Sequence, residues 1–218
     1  MIRTRKFATA AASGIAALTL FPAAATAPIA AAAPPAPAAE TTVNYQCRGS
    51  AVGQTVEFKL DQDADVDAPA TVAPEQQFNI VITPKPNRVP DKIENYTVKE
   101  VRNIKLRVPV PANSTFVSAD LSGGAGLNST PSVSREGDDV IVSLPGPLQG
   151  GAEFTLPVTR VTLTSGQQGV IEGKLGGSSF DDPGLTLDAA VQVGPFTINA
   201  PVSCYPNPNP VRTRTVIR

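Results

Sequence analysis

The sequence predicts an all-β chain: an immunoglobulin-like antiparallel β-sandwich of a single domain, held by one disulfide. Three observations predict it. Apolar residues alternate with polar ones at a period of two, turn residues punctuate those runs at short intervals, and two cysteines bracket the alternating region.

The alternation begins in earnest at Thr55–Asp61, where Val56, Phe58 and Leu60 interleave with Glu57, Lys59 and Asp61. This is the pattern of a strand with one wet face. Phe78, Ile80 and Ile82 repeat it, followed by Ile104, Leu106, Val108 and Val110, then Val140, Val142 and Leu144, and then Leu185, Leu187, Ala189, Val191 and Val193. Glu136–Asp139 predicts a hairpin tip, and Pro145–Gly151 a turn. Asp182-Pro183-Gly184 predicts a type II turn, because Pro presets its own φ and Gly accepts a positive one. No long segment keeps a 3.6-residue period, although Asp91–Asn95 suits one helical turn.

The ends of the chain have a different character. Arg3, Arg5 and Lys6 precede an uncharged stretch from Phe7 to Phe21, and Ala23, Ala25 and Ala27 follow, the three-part layout of a secretory signal. Pro22 interrupts the apolar run before it reaches the roughly 20 residues of a membrane span, so no transmembrane segment is expected once the signal is removed. The expected organisation is a signal peptide over 1–27, an Ala/Pro-rich spacer over 28–40, the β-sandwich domain over 41–206 and a basic flexible tail over 207–218. The tail follows from the alternating prolines 206, 208 and 210, which lack the amide donors of a strand, and from Arg212, Arg214 and Arg218 with no acid among them.

Export makes the cysteines informative. Cys47 lies in the first candidate strand and Cys204 in the last, and an oxidising compartment pairs such residues. A bridge between positions so far apart removes much chain entropy from the unfolded state, worth about 5 kcal/mol in the loop-closure account. No C-x-x-C spacing marks a redox pair.

Charge and composition exclude several functions. Between the two ends stand 12 basic and 19 acidic residues, a formal charge of about −7. Nucleic-acid binding needs the opposite surplus. The chain has no His, which excludes Ser-His-Asp and Cys-His catalysis and all His-based metal sites, and no Trp, which disfavours an extended sugar platform.

Asp61, Asp63, Asp65 and Asp67 stand at strict i, i+2 spacing, so an extended chain projects all four from one face, about 7 Å apart. Calcium, a hard ion that takes carboxylate oxygens, is the metal this ladder suits; a solvated acidic segment is the other reading. The EF-hand pattern is not met, because Val66 stands where Gly is required and Val72 where Glu is. No other cofactor is expected. Asp181 with Asp182, and Asp138 with Asp139, are adjacent acids that suit turns. Ser178 and Ser179 lie near Lys174 at a spacing with no mechanism attached to it.

Tyr45-Gln46-Cys47, Val108-Pro109-Val110-Pro111-Ala112-Asn113-Ser114-Thr115, Asp182-Pro183-Gly184-Leu185 and Ser203-Cys204-Tyr205-Pro206-Asn207-Pro208 resemble the sequence habits of a group of exported proteins from mycolic-acid-bearing actinobacteria. The likeness spans most of residues 41–210 and carries no catalytic motif; it implies an envelope or extracellular setting. The functional expectation is a non-catalytic protein, secreted or associated with the cell envelope, whose loops engage an envelope component or a protein partner. The alternative is a carboxylate-dependent hydrolase of envelope polymers with Asp181 and Asp182 as its acids.

Overall fold

In the computed structural model the residues described are Ala39–Arg218. The expected signal peptide over 1–27 and most of the spacer lie outside them. The strands in chain order are β1 (Ala39–Ala51), β2 (Gln54–Asp67), β3 (Thr71–Val72), β4 (Gln77–Pro84), β5 (Asn87–Arg88), β6 (Lys92–Ile93), β7 (Tyr96–Pro109), β8 (Ser114–Ser122) and β9 (Ser132–Glu136). They continue with β10 (Asp139–Leu144), β11 (Leu148–Gln149), β12 (Glu153–Phe154), β13 (Val158–Ser165), β14 (Gly169–Gly173), β15 (Leu185–Val193), β16 (Phe196–Pro206) and β17 (Thr213–Ile217). No helix occurs among the described residues; the expected helical turn at Asp91–Asn95 is instead β6 and the tight turn into β7.

Ten strands form one hydrogen-bonded path in the order β8-β13-β4-β2-β1-β16-β15-β7-β10-β9, antiparallel throughout. The two ends of that path, β8 and β9, lie side by side without a ladder between them. The result is a sandwich-like near-barrel. The main sheet curls back on itself, in line with the expected all-β antiparallel sandwich.

Local chemistry explains the hairpins. β1 and β2 pair from Ala39↔Val66 to Ala51↔Gln54, leaving Val52 and Gly53 as a two-residue turn with φ of 49° and 71°. Two positive φ values define the type I′ turn, whose twist matches the flanking strands. Val52, a β-branched residue in a conformation it resists, is 79% exposed at that tip. β9 and β10 meet at Gly137-Asp138, the tip expected from Glu136–Asp139.

β1 sits between β2 and β16, and Cys47 stands directly opposite Cys204 in the β1–β16 ladder. Their Cα atoms are 4.1 Å apart, the close approach of a non-hydrogen-bonded pair, and the expected disulfide joins them. Both cysteines are fully buried. Their bridge ties the first strand to the penultimate one, because the chain goes on to make β17.

That strand corrects the expected flexible tail. β17 pairs antiparallel with β14 and parallel with β3. Its inward residues Thr213, Thr215 and Ile217 are buried, while Arg214 faces out toward Glu172 at 3.7 Å. Thr215 Oγ1 donates to the Pro69 carbonyl at 2.7 Å. The three arginines hide an ordinary alternating strand. At the other end β1 begins at Ala39, two residues inside the expected spacer.

Two apolar clusters fill the body. The first gathers Val43, Tyr45, Cys47, Val98, Val101, Leu144, Leu148, Ala189, Val202 and Cys204; the second gathers Ala64, Phe78, Ile80, Ile82, Val140, Val161, Leu163, Ile171 and Ile217. The three-stranded sheet β14-β17-β3 contributes Ile171 and Ile217 to the second.

Gly184 also departs from expectation. Its φ is not positive, so Pro183-Gly184 is not the centre of a type II turn. Glycine is required there by crowding: a Cβ would lie 1.7 Å from the Gly176 carbonyl oxygen. Its N–H donates to the Cys204 carbonyl at 2.9 Å and its carbonyl accepts from Arg107 N–H at 2.8 Å, so the loop before β15 is stitched to both neighbouring strands.

Replacing both cysteines with alanine is expected to lower the unfolding free energy by about 2–5 kcal/mol, read as a fall in the urea midpoint with an all-β far-UV spectrum retained. An unchanged midpoint would show that the strand ladder alone fixes β1 against β16.

Candidate functional site

The first cluster does not fill the space the strands enclose. Between the curled sheet and the loops that cover it lies an apolar cavity of about 370 Å³. One wall comes from alternate residues of the long strands: Phe58 and Leu60 of β2, Ile104 and Leu106 of β7, Leu185 and Leu187 of β15, and Val202 of β16. The opposite wall comes from segments the sequence presents as loops, with Val89 and Pro90 from one and Leu148, Phe154 and Leu156 from another.

These loops are held firmly. β5 pairs with β12, Val89 N–H donates to the Ala152 carbonyl at 2.9 Å, and Arg88 Nε donates to the Gly151 carbonyl at 2.7 Å. Ala125 and Thr155 exchange both backbone bonds, at 3.0 and 2.9 Å. Leu148, inside the segment expected to be a turn, is 0% exposed. Here the sequence reading missed a wall of the site, and the only signal was the apolar residue between two prolines and glycines.

Two further hollows adjoin the cavity. One, of about 290 Å³, shares Phe58, Ile93, Ala189 and Val202 with it and reaches the tips of the β1–β2 and β15–β16 hairpins through Val52, Gln54, Val193 and Ile198. The register Gly49↔Val202 places the two tips at the same end of the molecule. Phe196, 71% exposed, and Val52 stand there in solvent. The other hollow, of about 70 Å³, shares Tyr45, Gln62, Ile82, Leu106 and Leu156 with the main cavity and ends against Lys174 and Arg212. Tyr45 is buried where the two meet, and burial raises its phenol above the ordinary value of 10, so it is neutral at physiological pH.

The acidic residues are arranged differently. Asp61, Asp63, Asp65 and Asp67 do occupy alternate positions of β2; Asp61 borders the cavity, whereas Asp63, Asp65 and Asp67 do not line it. Asp63 accepts from Thr42 Oγ1 at 2.5 Å and Asp65 pairs with Lys85, so the two middle carboxylates already have partners. Among the described residues no group of three or more His, Cys, Asp or Glu side chains is placed to hold a metal ion.

Asp181 and Asp182 point to different surroundings. Asp181 is exposed, whereas Asp182 accepts from Ser178 Oγ at 2.8 Å and from Arg107 at 2.6 Å. Arg107 also lies 3.7 Å from Asp139, so one guanidinium brings together acids that are distant in sequence. The Ser178 hydroxyl first and Arg107 second hold the Asp182 carboxyl below its ordinary range. A carboxyl so held stays ionised and is a poor proton donor. Ser178 is engaged by Asp182, and no contact joins it to Lys174.

No family model and no curated protein matches the chain. Among solved structures, the crystal structure of a protein from Corynebacterium diphtheriae, provisionally described as membrane anchored, is similar in fold, with a TM-score of 0.55 at 18% identity. The match covers 83% of this chain and 38% of that one, so this chain spans well under half of its length. Among the described residues no helix is long and apolar enough to cross a membrane.

Asp182→Asn is expected to destabilise the protein at neutral pH, and the deficit should vanish as the pH falls below 3.8. The depressed carboxyl contributes its full stability above its unfolded-state value and loses it as the pH falls through its lower folded-state value. Chemical melts of both proteins across that range would show it; a deficit that persists in acid would mean that Asp182 acts through packing.

Proposed function

We propose that this protein is a non-catalytic extracytoplasmic protein of the cell envelope that binds an apolar molecule in its interior. The observation that carries the reading is the cavity itself. Protein interiors are packed to the density of organic crystals, with few voids larger than a water molecule. A void of about 370 Å³ lined mainly by aliphatic and aromatic side chains, with Lys59, Asp61, Gln62, Asn87, Arg88 and Thr159 also bordering it, lies within the size range of small-molecule sites. Left empty, it forfeits the contacts its lining residues could make; filled by an apolar molecule, it regains them.

The setting is supported separately. A buried disulfide suits an oxidising compartment, and the structural neighbour comes from a mycolic-acid-bearing bacterium and is itself provisionally described as membrane anchored. The absence of catalysis is supported by the state of the acids. Asp182 accepts from Ser178 and Arg107, which favour its ionised form, and Asp181 beside it points to other surroundings. The hydrolase alternative, built on Asp181 and Asp182, would need a proton donor from this pair.

The test is thermal melting of the full-length chain with and without dodecanol, a neutral apolar probe. At a hundredfold excess over the dissociation constant, binding is expected to add about 2.7 kcal/mol of stability. The increment should be absent in Ala189→Phe, which places a ring in the wall shared by the cavity and the hollow at the hairpin tips. An unchanged midpoint for the wild-type chain at saturating dodecanol would contradict the reading.

A further inference from the structure

The apolar cavity is not symmetrical in charge, and its ends differ in kind. At the hairpin end the lining is Val52, Val56, Val191, Val193 and Ile198, without a charged residue. At the opposite end the small hollow that shares Tyr45 with the cavity is lined by Lys174 and Arg212 with no acid, while the main cavity between the two is bordered by Lys59, Asp61 and Arg88.

Arg212 is poorly served by the protein. Nη1 makes one long bond, 3.4 Å to the Thr42 carbonyl, and Nε is buried with no hydrogen-bond partner. No ion pair among the described residues includes Arg212 or Lys174, whereas Arg48, Arg102, Arg107, Arg135 and Arg214 each meet a carboxylate. Burial disfavours the charged form of the Arg212 side chain, and its neighbour Tyr45 is neutral. A buried guanidinium N–H without an acceptor is costly, and in a native protein it calls for an explanation. The backbone holds it there all the same: Arg212 N–H donates to the Gly173 carbonyl at 2.8 Å, and Thr213 beyond it is buried in β17.

Building on the reading of the cavity as an apolar binding site, we propose that its ligand is a single-chain anionic amphiphile. The acidic headgroup is bound by Arg212 and Lys174, and the aliphatic chain runs past Tyr45 into the main cavity toward the hairpin tips. A carboxylate or phosphate supplies the acceptor that Arg212 Nε lacks. The chain fills the volume that the side chains of β2, β7, β15 and β16 leave open. Recognition of the head is charge-assisted and that of the tail is apolar, so the two are separable by experiment.

The experiment measures dissociation constants of dodecanoate, dodecanol and acetate for the full-length chain at neutral pH by calorimetry. Dodecanoate is expected to bind about tenfold tighter than dodecanol, the factor that one charge-assisted bond supplies, and acetate should not bind measurably. Arg212→Met should erase the preference for the acid while leaving dodecanol binding unchanged, and Lys174→Met, at an exposed position, should reduce it. If dodecanoate and dodecanol bind the wild-type chain equally, the anionic head is wrong and the apolar site stands. If neither binds, both readings fall. An acid preference that survives both substitutions also overturns the proposal, and where Arg212→Met fails to fold, the wild-type comparison and Lys174→Met decide.

Discussion

The structure depends on one strand being held on both sides. β1 carries a full-length ladder to β2 and a second to β16, and at its middle Cys47 is covalently joined to Cys204. Strands that long, paired along so much of their length, fix the curvature and width of the sheet before side chains decide how the interior is filled. The inward residues of that part of the sheet are mostly Val, Ala and Leu, and the chain contains no Trp. A wide frame with small side chains cannot close on itself. Loops must be brought across it, and even with Leu148, Phe154 and Leu156 in place an apolar volume is left over.

Much of this frame can be read from residue order. Period-two alternation locates the long strands, and export together with a cysteine count of two specifies the bridge. Reading is harder where one residue serves two purposes. Arg212, Arg214 and Arg218 give the C-terminal segment the composition of a solvated tail, yet Thr213, Thr215 and Ile217 between them bury as any strand does. Charge marks the outer face of that strand and conceals the inner one. Gly184 follows a proline as turn glycines do, but the reason for it is a contact with Gly176, which no local pattern reveals.

The cavity was not legible for a different reason. It is a mismatch between the volume enclosed by β2, β7, β15 and β16 and the side chains available to fill it, and that mismatch depends on where the covering loops come to rest. The acids drew notice in the sequence because charge is conspicuous there. In the folded protein they are partnered on the outside, Asp63 by Thr42, Asp65 by Lys85, Asp182 by Ser178 and Arg107. The inconspicuous Arg212 has a buried Nε without a hydrogen-bond partner and, unlike Arg107, whose Nε is similarly unbonded, no carboxylate beside it. Function on this account follows from what the fold leaves unfilled and unpaired.

The most direct test of that account is a crystal structure of the ligand-free protein under xenon pressure. Dry apolar cavities take up xenon. The account predicts xenon between Phe58, Leu187 and Val202, with no ordered water there beforehand. An interior closed by repacked side chains, or a chain of hydrogen-bonded waters in the same place, would contradict it.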